Sequence, residues 1–573
     1  MKEDLNTNVE EQYQQFETSD KEDSNIQKRK KKTKSFLQQK TIIKTLLLTA
    51  TFLCLLIIIF QFLESKNKES IIYKTKKEEK PLKESLSNTK KCEPGYKVVG
   101  DKCEINHSIR AEYHTTEDNQ KIFIIRLIPS FPIEMIIDGE NVSPTKEYTF
   151  PKKGNHTVYI LSDFKKLTSA KRMFYQINNL DYIAFTPLFD TRNIIEMNSM
   201  FYECVCLTSI DVSYFNTEKV KNMELMFAGC HRLASIDLSH FNTKSVTSFA
   251  NMFEDCLSLS VINLSNFDTS EAKDLSFMFF GCESLTSIDV SHFITDEVTS
   301  MEYMFKGCTS LTSIDLSNFN TENVSSLSRM FEKCTSLISL DLSNFDTRKA
   351  TSISSMFFDC YNLKSVNLKS FNTENVIAMN GLFHDCYSLT SIDINHFNTK
   401  NVINMNLMFN GCSSLTSIDL SNFKTDSLEY IDDIFNGCSS LKAIDITHFK
   451  TNKVTSMISL FQGCESLTSI DVSNFNTEKV TNMKHMFYEC KSLTSIDLSN
   501  FVVDEVRRIE YMFYQCNNLA YIDISPFHFE NIKIVSLFNN LPDKGSIRIR
   551  KQLYNRIKED IPEEWEVSIV ELS

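Results

Sequence analysis

Thirteen cysteines recur at a fixed interval of 26 residues: Cys204, Cys230, Cys256, Cys282, Cys308, Cys334, Cys360, Cys386, Cys412, Cys438, Cys464, Cys490 and Cys516. Thiolates carry redox or metal chemistry when they lie close together, at CxxC-like or Cys/His spacing. Only Cys204 and Cys206 are close in sequence. Seven places after each cysteine runs a second row of reactive groups: Asp211, Asp237, Asp289, Asp315, Asp341, Asp393, Asp419, Asp445, Asp471, Asp497 and Asp523, completed by Asn263 and Asn367. A row of carboxylates in register could hold a basic ligand or calcium. Calcium needs about six to eight oxygens around one ion, more than a flat column offers. The plainer reading is a solvated hydroxyl-and-carboxylate face.

Four histidines at position 10 (His240, His292, His396 and His448) each precede a Phe and read as solvated edge residues rather than bases. No phosphate loop, HExxH or GxSxG occurs. Neither a catalytic set nor a bound cofactor or metal is expected.

What positions these rows is the repeat itself. Counting from each cysteine, position 3 is always Leu, positions 6 and 8 are aliphatic, position 11 is Phe, and Phe stands three places before every cysteine. In LTSIDLS, Ile314 and Leu316 alternate with Ser313, Asp315 and Ser317, which is strand periodicity. Val324, Leu327, Met330, Phe331 and Cys334 follow at steps of three and four, which predicts a short helix, with Asn320 and Thr321 as its cap. One unit cannot bury this apolar stripe alone, whereas stacked units can. Six glycines directly precede a cysteine, and Asp, Glu, Lys or Gln replaces them elsewhere, so a left-handed backbone is not expected to be obligatory there.

Stacking sets the chemistry of both rows. Neighbouring rungs about 5 Å apart would bring cysteines within disulfide range. Each cysteine nevertheless continues the buried stripe, so free buried thiols are expected. Adjacent carboxylates about 4.8 Å apart repel by roughly 0.9 kcal/mol in water. Ser hydroxyls at positions 5 and 9, water, raised pKa values or bound cations would have to offset this.

The phrase MFxGCxSLTSIDLSNFxTxxVxxM resembles the repeat of BspA-like leucine-rich-repeat surface proteins, a type also seen in mycoplasma lipoproteins and protist surface proteins. The likeness runs from about Phe174 to Phe538. It implies an α/β solenoid with one parallel strand and one short helix per unit, and a surface protein attaching to host or matrix proteins or to neighbouring cells.

Residues Thr45–Leu63 form a 19-residue stretch without charge, long enough to span a bilayer at about 1.5 Å per residue. The segment before it is rich in lysine and the one after mixes lysine with glutamate, so the N-terminus is expected in the cytoplasm. The reading is a single-pass type II signal anchor in the cell membrane with extracellular repeats; a cleaved signal peptide is the alternative. The expected order is a disordered basic tail (1–44), the anchor (45–63), a stalk (64–91), a disulfide loop closed by Cys92 and Cys103 (92–103), a small antiparallel β unit capping the solenoid (104–165), the solenoid (166–540) and a β-α-β cap (541–573). Glycosylation sequons stand at Asn106, Asn141, Asn155, Asn263 and Asn323, with Pro144 following the Asn141 sequon.

The net charge of −13 argues against nucleic acid as the main partner. The functional expectation is a non-enzymatic adhesion or recognition protein whose solenoid binds extracellular or host proteins. The alternative is a coat protein that self-associates through its solenoids.

Overall fold

A computed structural model describes residues 96–99, 102–528 and 534–571. The proposed cytoplasmic tail, anchor, stalk and Cys92 lie outside the described residues. Among the described residues no helix is long and apolar enough to cross a membrane.

Each 26-residue unit makes one turn of a β-solenoid. Leu311, Leu316, Phe319, Val324, Leu327, Met330, Phe331 and Cys334 all point inward, with at most 2% exposure. The rings lie over one another from rung to rung. Phe305, Phe331 and Phe357 stack at 5.7 and 6.0 Å, and Phe319, Phe345 and Phe371 at 6.5 and 6.4 Å. These continuous columns give one core of buried apolar surface, the main favourable term in folding.

Among the described residues, the helix expected in each unit is absent. The residues before each cysteine form successive reverse turns instead. Met226, Ala228 and Cys230 donate to the carbonyls three places back, on Met223, Leu225 and Phe227. The amides between them, on Leu225, Phe227 and Gly229, donate to Ala250, Met252 and Glu254 in the next rung. A helix satisfies its amides internally, whereas here every second one goes to the neighbouring rung. The three-and-four apolar spacing survives because each turn brings its side chain back to the core.

The backbone follows from two left-handed residues per unit. All thirteen residues directly before a cysteine have positive φ, from Asp255 at 52° to Gly307 at 76°. The residues five before the cysteine do too, including Leu225, Phe277 and Tyr303. The left-handed conformation is therefore obligatory at both places. Glycine takes it without strain, and Asp, Glu, Lys and Gln take it at a cost that the stack over-determines.

The parallel strands are shorter than expected and do not form one sheet. Three-residue strands β10 (Ser209–Asp211), β11 (Ser235–Asp237), β12 (Val261–Asn263), β13 (Ser339–Asp341), β14 (Ser365–Asn367) and β15 (Ser495–Asp497), with the four-residue β16 (Tyr521–Ile524), pair in parallel locally. Longer continuity comes from parallel bridges at position 18, such as Ser300↔Ser326↔Ser352.

Thr321 is not a helix cap. Position 13 is Thr from Thr217 to Thr477, and every one is buried. Each engages the next rung, as Thr321 Oγ1 does by donating to the Asp346 carbonyl at 2.9 Å. Asn320 Oδ1 accepts from the Glu322 N–H at 3.0 Å, closing a local turn.

Ahead of the repeats, β1 (Tyr96–Val99) and β2 (Lys102–Ile105) pair antiparallel. Strand β3 (Ile109–Thr115) pairs antiparallel with β8 (Gly154–Ser162), which pairs with β5 (Ile133–Ile137), which pairs with β6 (Glu140–Val142). Strands β4 (Gln120–Phe123) and β7 (Glu147–Phe150) form a separate pair. Strand β9 (Leu180–Phe185) belongs to an irregular first rung. One edge pairs parallel with β10 and the other antiparallel with β3, so the opening edge of the solenoid is covered. At the far end β17 (Ser546–Arg550), helix α1 (Lys551–Ile557) and β18 (Glu566–Val570) continue the parallel order after β16. Leu553 and Ile557 of α1 are buried.

Candidate functional site

The aspartates of position 7 do form a column, and its chemistry is set by the turn that follows each strand. Asp315 Oδ1 accepts from the Ser317 backbone N–H at 3.0 Å, and Asp341 Oδ1 from that of Ser343 at 3.0 Å. The same bond closes at Asp211, Asp237, Asp289, Asp419, Asp445, Asp471, Asp497 and Asp523. Asn263 and Asn367 accept it equally through their amide oxygens.

Raised pKa values are therefore not how the column tolerates its charge. The Ser317 N–H, then the Ser317 hydroxyl, holds the Asp315 carboxyl below the usual range, and Asp237, Asp289, Asp341, Asp419, Asp445 and Asp471 are lowered by the equivalent donors. Hydrogen bonds to the charged form favour it. For these seven the offset comes from position 9, and they stay ionised.

Two members differ. Asp523 is only 1% exposed, and Arg548 of β17 donates to it at 3.3 Å, so it ends the column rather than lining an open face. Asp211 is half-buried at the other end. The nine between them (Asp237, Asp289, Asp315, Asp341, Asp393, Asp419, Asp445, Asp471 and Asp497) are exposed.

The repeat cysteines are free and buried. Each thiol donates to the Phe carbonyl of the rung before, as Cys334 does to Phe305 at 3.2 Å. Burial pushes the Cys308 thiol up to about 12, which keeps it protonated and unreactive. Cys206 is the half-exposed thiol among the described cysteines. Cys103 lies in β2, opposite Val98.

Three of the position-10 histidines brace the rungs. Nε2 lies 2.7 Å from the Val212 carbonyl for His240, 2.9 Å from Leu264 for His292 and 3.1 Å from Leu368 for His396. Among the sequons, Asn141 in β6, Asn155 in β8 and Asn263 in β12 are exposed. Asn323 donates to the Asp296 carbonyl at 2.7 Å and accepts from Lys349 Nζ at 2.5 Å.

One group of potential ligands was not anticipated. Asp359 and Asp385 directly precede cysteines of consecutive rungs, and His384 stands beside the second. Their ligand atoms all lie within 4.8 Å of one another. His384 Nδ1 is 3.5 Å from Asp385 Oδ2 and 3.9 Å from Asp359 Oδ1. Burial, then the Asp385 carboxylate, pushes Asp359 up to about 6, and burial holds the His384 imidazole below its usual value. Laying the sequence out at 26 residues per line sets Asp359 under Asp385, which is the signal that could have found it.

Comparison with known families agrees with the repeat. Four overlapping matches, to residues 165–261, 258–366, 338–444 and 431–544, fall to the family described as "Mycoplasma protein of unknown function, DUF285". They cover well over half of the sequence, and the chain belongs to this family. No curated protein matches it.

Among solved structures, a leucine-rich cell surface protein from Faecalibacterium prausnitzii is 18% identical, with 61% of this chain and 81% of that one covered and a TM-score of 0.31. A leucine-rich-repeat protein from Leptospira interrogans is 14% identical, with 71% and 94% covered and a TM-score of 0.20. At such TM-scores neither neighbour decides what this chain binds.

Proposed function

We propose that the chain is a non-enzymatic, membrane-anchored surface protein whose solenoid binds protein partners in adhesion or recognition. The observation that carries this reading is the exposed aspartate column, seven of whose carboxylates are held ionised by hydrogen bonds from position 9. Regularly spaced negative charge suits a partner with lysine or arginine along its length. Many similar weak contacts would add through avidity. The anchor is the uncharged stretch 45–63, with the N-terminus cytoplasmic and the repeats outside. A likeness to BspA-like surface proteins belongs to the same proposal.

The test is binding of the purified full-length chain to cells and matrix proteins, with Asp289, Asp315, Asp341 and Asp419 changed to Asn. Asn263 and Asn367 show that the amide keeps the turn while removing the charge. The proposal expects binding to fall steeply in the variant and with added salt. Undiminished binding by the variant would contradict it, and assembly of the chain without any ligand would favour the coat-protein alternative.

A further inference from the structure

We propose that Asp359, His384 and Asp385 form a binding site for a divalent metal ion of the zinc class. The separations are the first argument. At 3.5 and 3.9 Å, His384 Nδ1 is too far from either carboxylate for a hydrogen bond. Metal–ligand bonds of about 2.1 Å at a tetrahedral ion place neighbouring ligand atoms about 3.4 Å apart. These side chains are spaced as co-ligands rather than as hydrogen-bond partners.

The second argument is an orphaned atom. His384 Nδ1 is shut off from solvent and has no hydrogen-bond partner. A buried polar atom left so costs free energy unless something takes its lone pair. Nor do the carboxylates have a fixed cation: among the described residues, neither Asp359 nor Asp385 forms an ion pair with Lys or Arg. Nearby Glu332, more deeply buried, has two, Lys306 at 2.9 Å and Arg329 at 3.0 Å.

The surroundings hold the three groups in place. The Phe358 ring stacks on the His384 imidazole at 4.0 Å and 8°. The Asp385 carboxylate occupies room left by Gly411, where an added Cβ would lie 1.9 Å from Oδ1. Beside the two aspartates, the Tyr361 and Tyr387 rings stack on one another at 5.1 Å. Asp255 provides an internal contrast. It sits over Gly281 in the same way, with an added Cβ there 2.2 Å from its Oδ1, but Glu254 precedes it where His384 precedes Asp385, so an imidazole is missing from that place.

The donor set selects the ion. An imidazole nitrogen with two carboxylates suits zinc better than calcium or magnesium, which prefer oxygen. Two carboxylates neutralise a divalent charge. Three protein ligands leave a fourth position for water or for a donor from a bound partner.

The experiment is calorimetric titration of the untagged full-length chain, stripped with chelator, with zinc chloride. It is repeated for His384→Gln, Asp385→Asn and the contrast variant Asp255→Asn. One strong site per chain is expected in the wild type and in Asp255→Asn, weakened at least tenfold in the other two. Zinc should raise the melting temperature of the wild type and not of His384→Gln. If His384→Gln does not fold, Asp385→Asn carries the comparison. Identical isotherms for the wild type and Asp385→Asn, or no strong site in the wild type, would overturn the proposal.

Discussion

Thr295 Oγ1 donates to the Asn320 carbonyl at 2.7 Å and accepts from the Asn320 N–H at 2.8 Å. A single buried hydroxyl thus satisfies both backbone groups of a residue one rung on. The contact recurs along the column, from Thr191 with Asn216 to Thr477 with Val502. Thr295→Val keeps the shape and strands both groups. The expected cost is about 1–3 kcal/mol, read from urea denaturation. Val503 occupies the next place after Thr477 and is itself buried, so the methyl fits and the loss is polar.

Gly307 has φ of +76°, and an added Cβ would meet nothing closer than 3.4 Å. Space is available, so Gly307→Ala isolates backbone strain. It should destabilise by about 1 kcal/mol. Lys333 holds the equivalent place at φ +60°. Lys333→Gly should shift the same denaturation curve the opposite way, by a smaller amount.

Thiol labelling tests the buried column. Every repeat cysteine from Cys204 to Cys516 is buried, whereas Cys206 is half-exposed. Mass spectrometry after brief alkylation of the native chain should find Cys206 modified and the repeat cysteines protected. All should react once the chain is unfolded. Rapid native labelling of Cys308 or Cys334 would mean that the rungs open readily.

Acid should weaken the fold through the aspartate column. Asp237, Asp289, Asp341 and Asp471 have folded-state values lowered from 3.8. A lowered value means that the stabilisation is present above the unfolded value and is lost as pH falls through the folded one. Stability should therefore decline below about pH 4. The decline should be shallower when Asp289 and Asp341 are Asn, as denaturation curves between neutral and acid pH will show.

Much of this architecture is legible in the residues. The cysteine ruler sets the register, Leu311 and Phe319 mark the core, and the alternation around Ile314 and Leu316 marks the strand. The second half of each unit misleads, because Val324, Leu327, Met330, Phe331 and Cys334 have the spacing of a helical face. Consecutive turns bury the same pattern. The six glycines before cysteines hint at the left-handed residue, but Leu225, Phe277 and Tyr303, equally left-handed, bear no mark of it. The aspartate column is visible in sequence, whereas its partner is not: the Ser317 N–H is a backbone group that only the turn delivers. The carboxylate–imidazole group is hidden because Asp359 and His384 come from different rungs.

Everything rests on rungs that stack in a register of one full unit, and deletion tests this most directly. Removing residues 309–334 joins Cys308 to Thr335 and takes out one complete turn. Removing only 309–321 deletes the strand and its following turn from one rung, leaving the rest without a layer to complete. In urea denaturation followed by circular dichroism, the full-unit deletion should keep a single cooperative transition near that of the parent, and the half-unit deletion should be severely destabilised. Equal behaviour of the two would contradict the stacked solenoid.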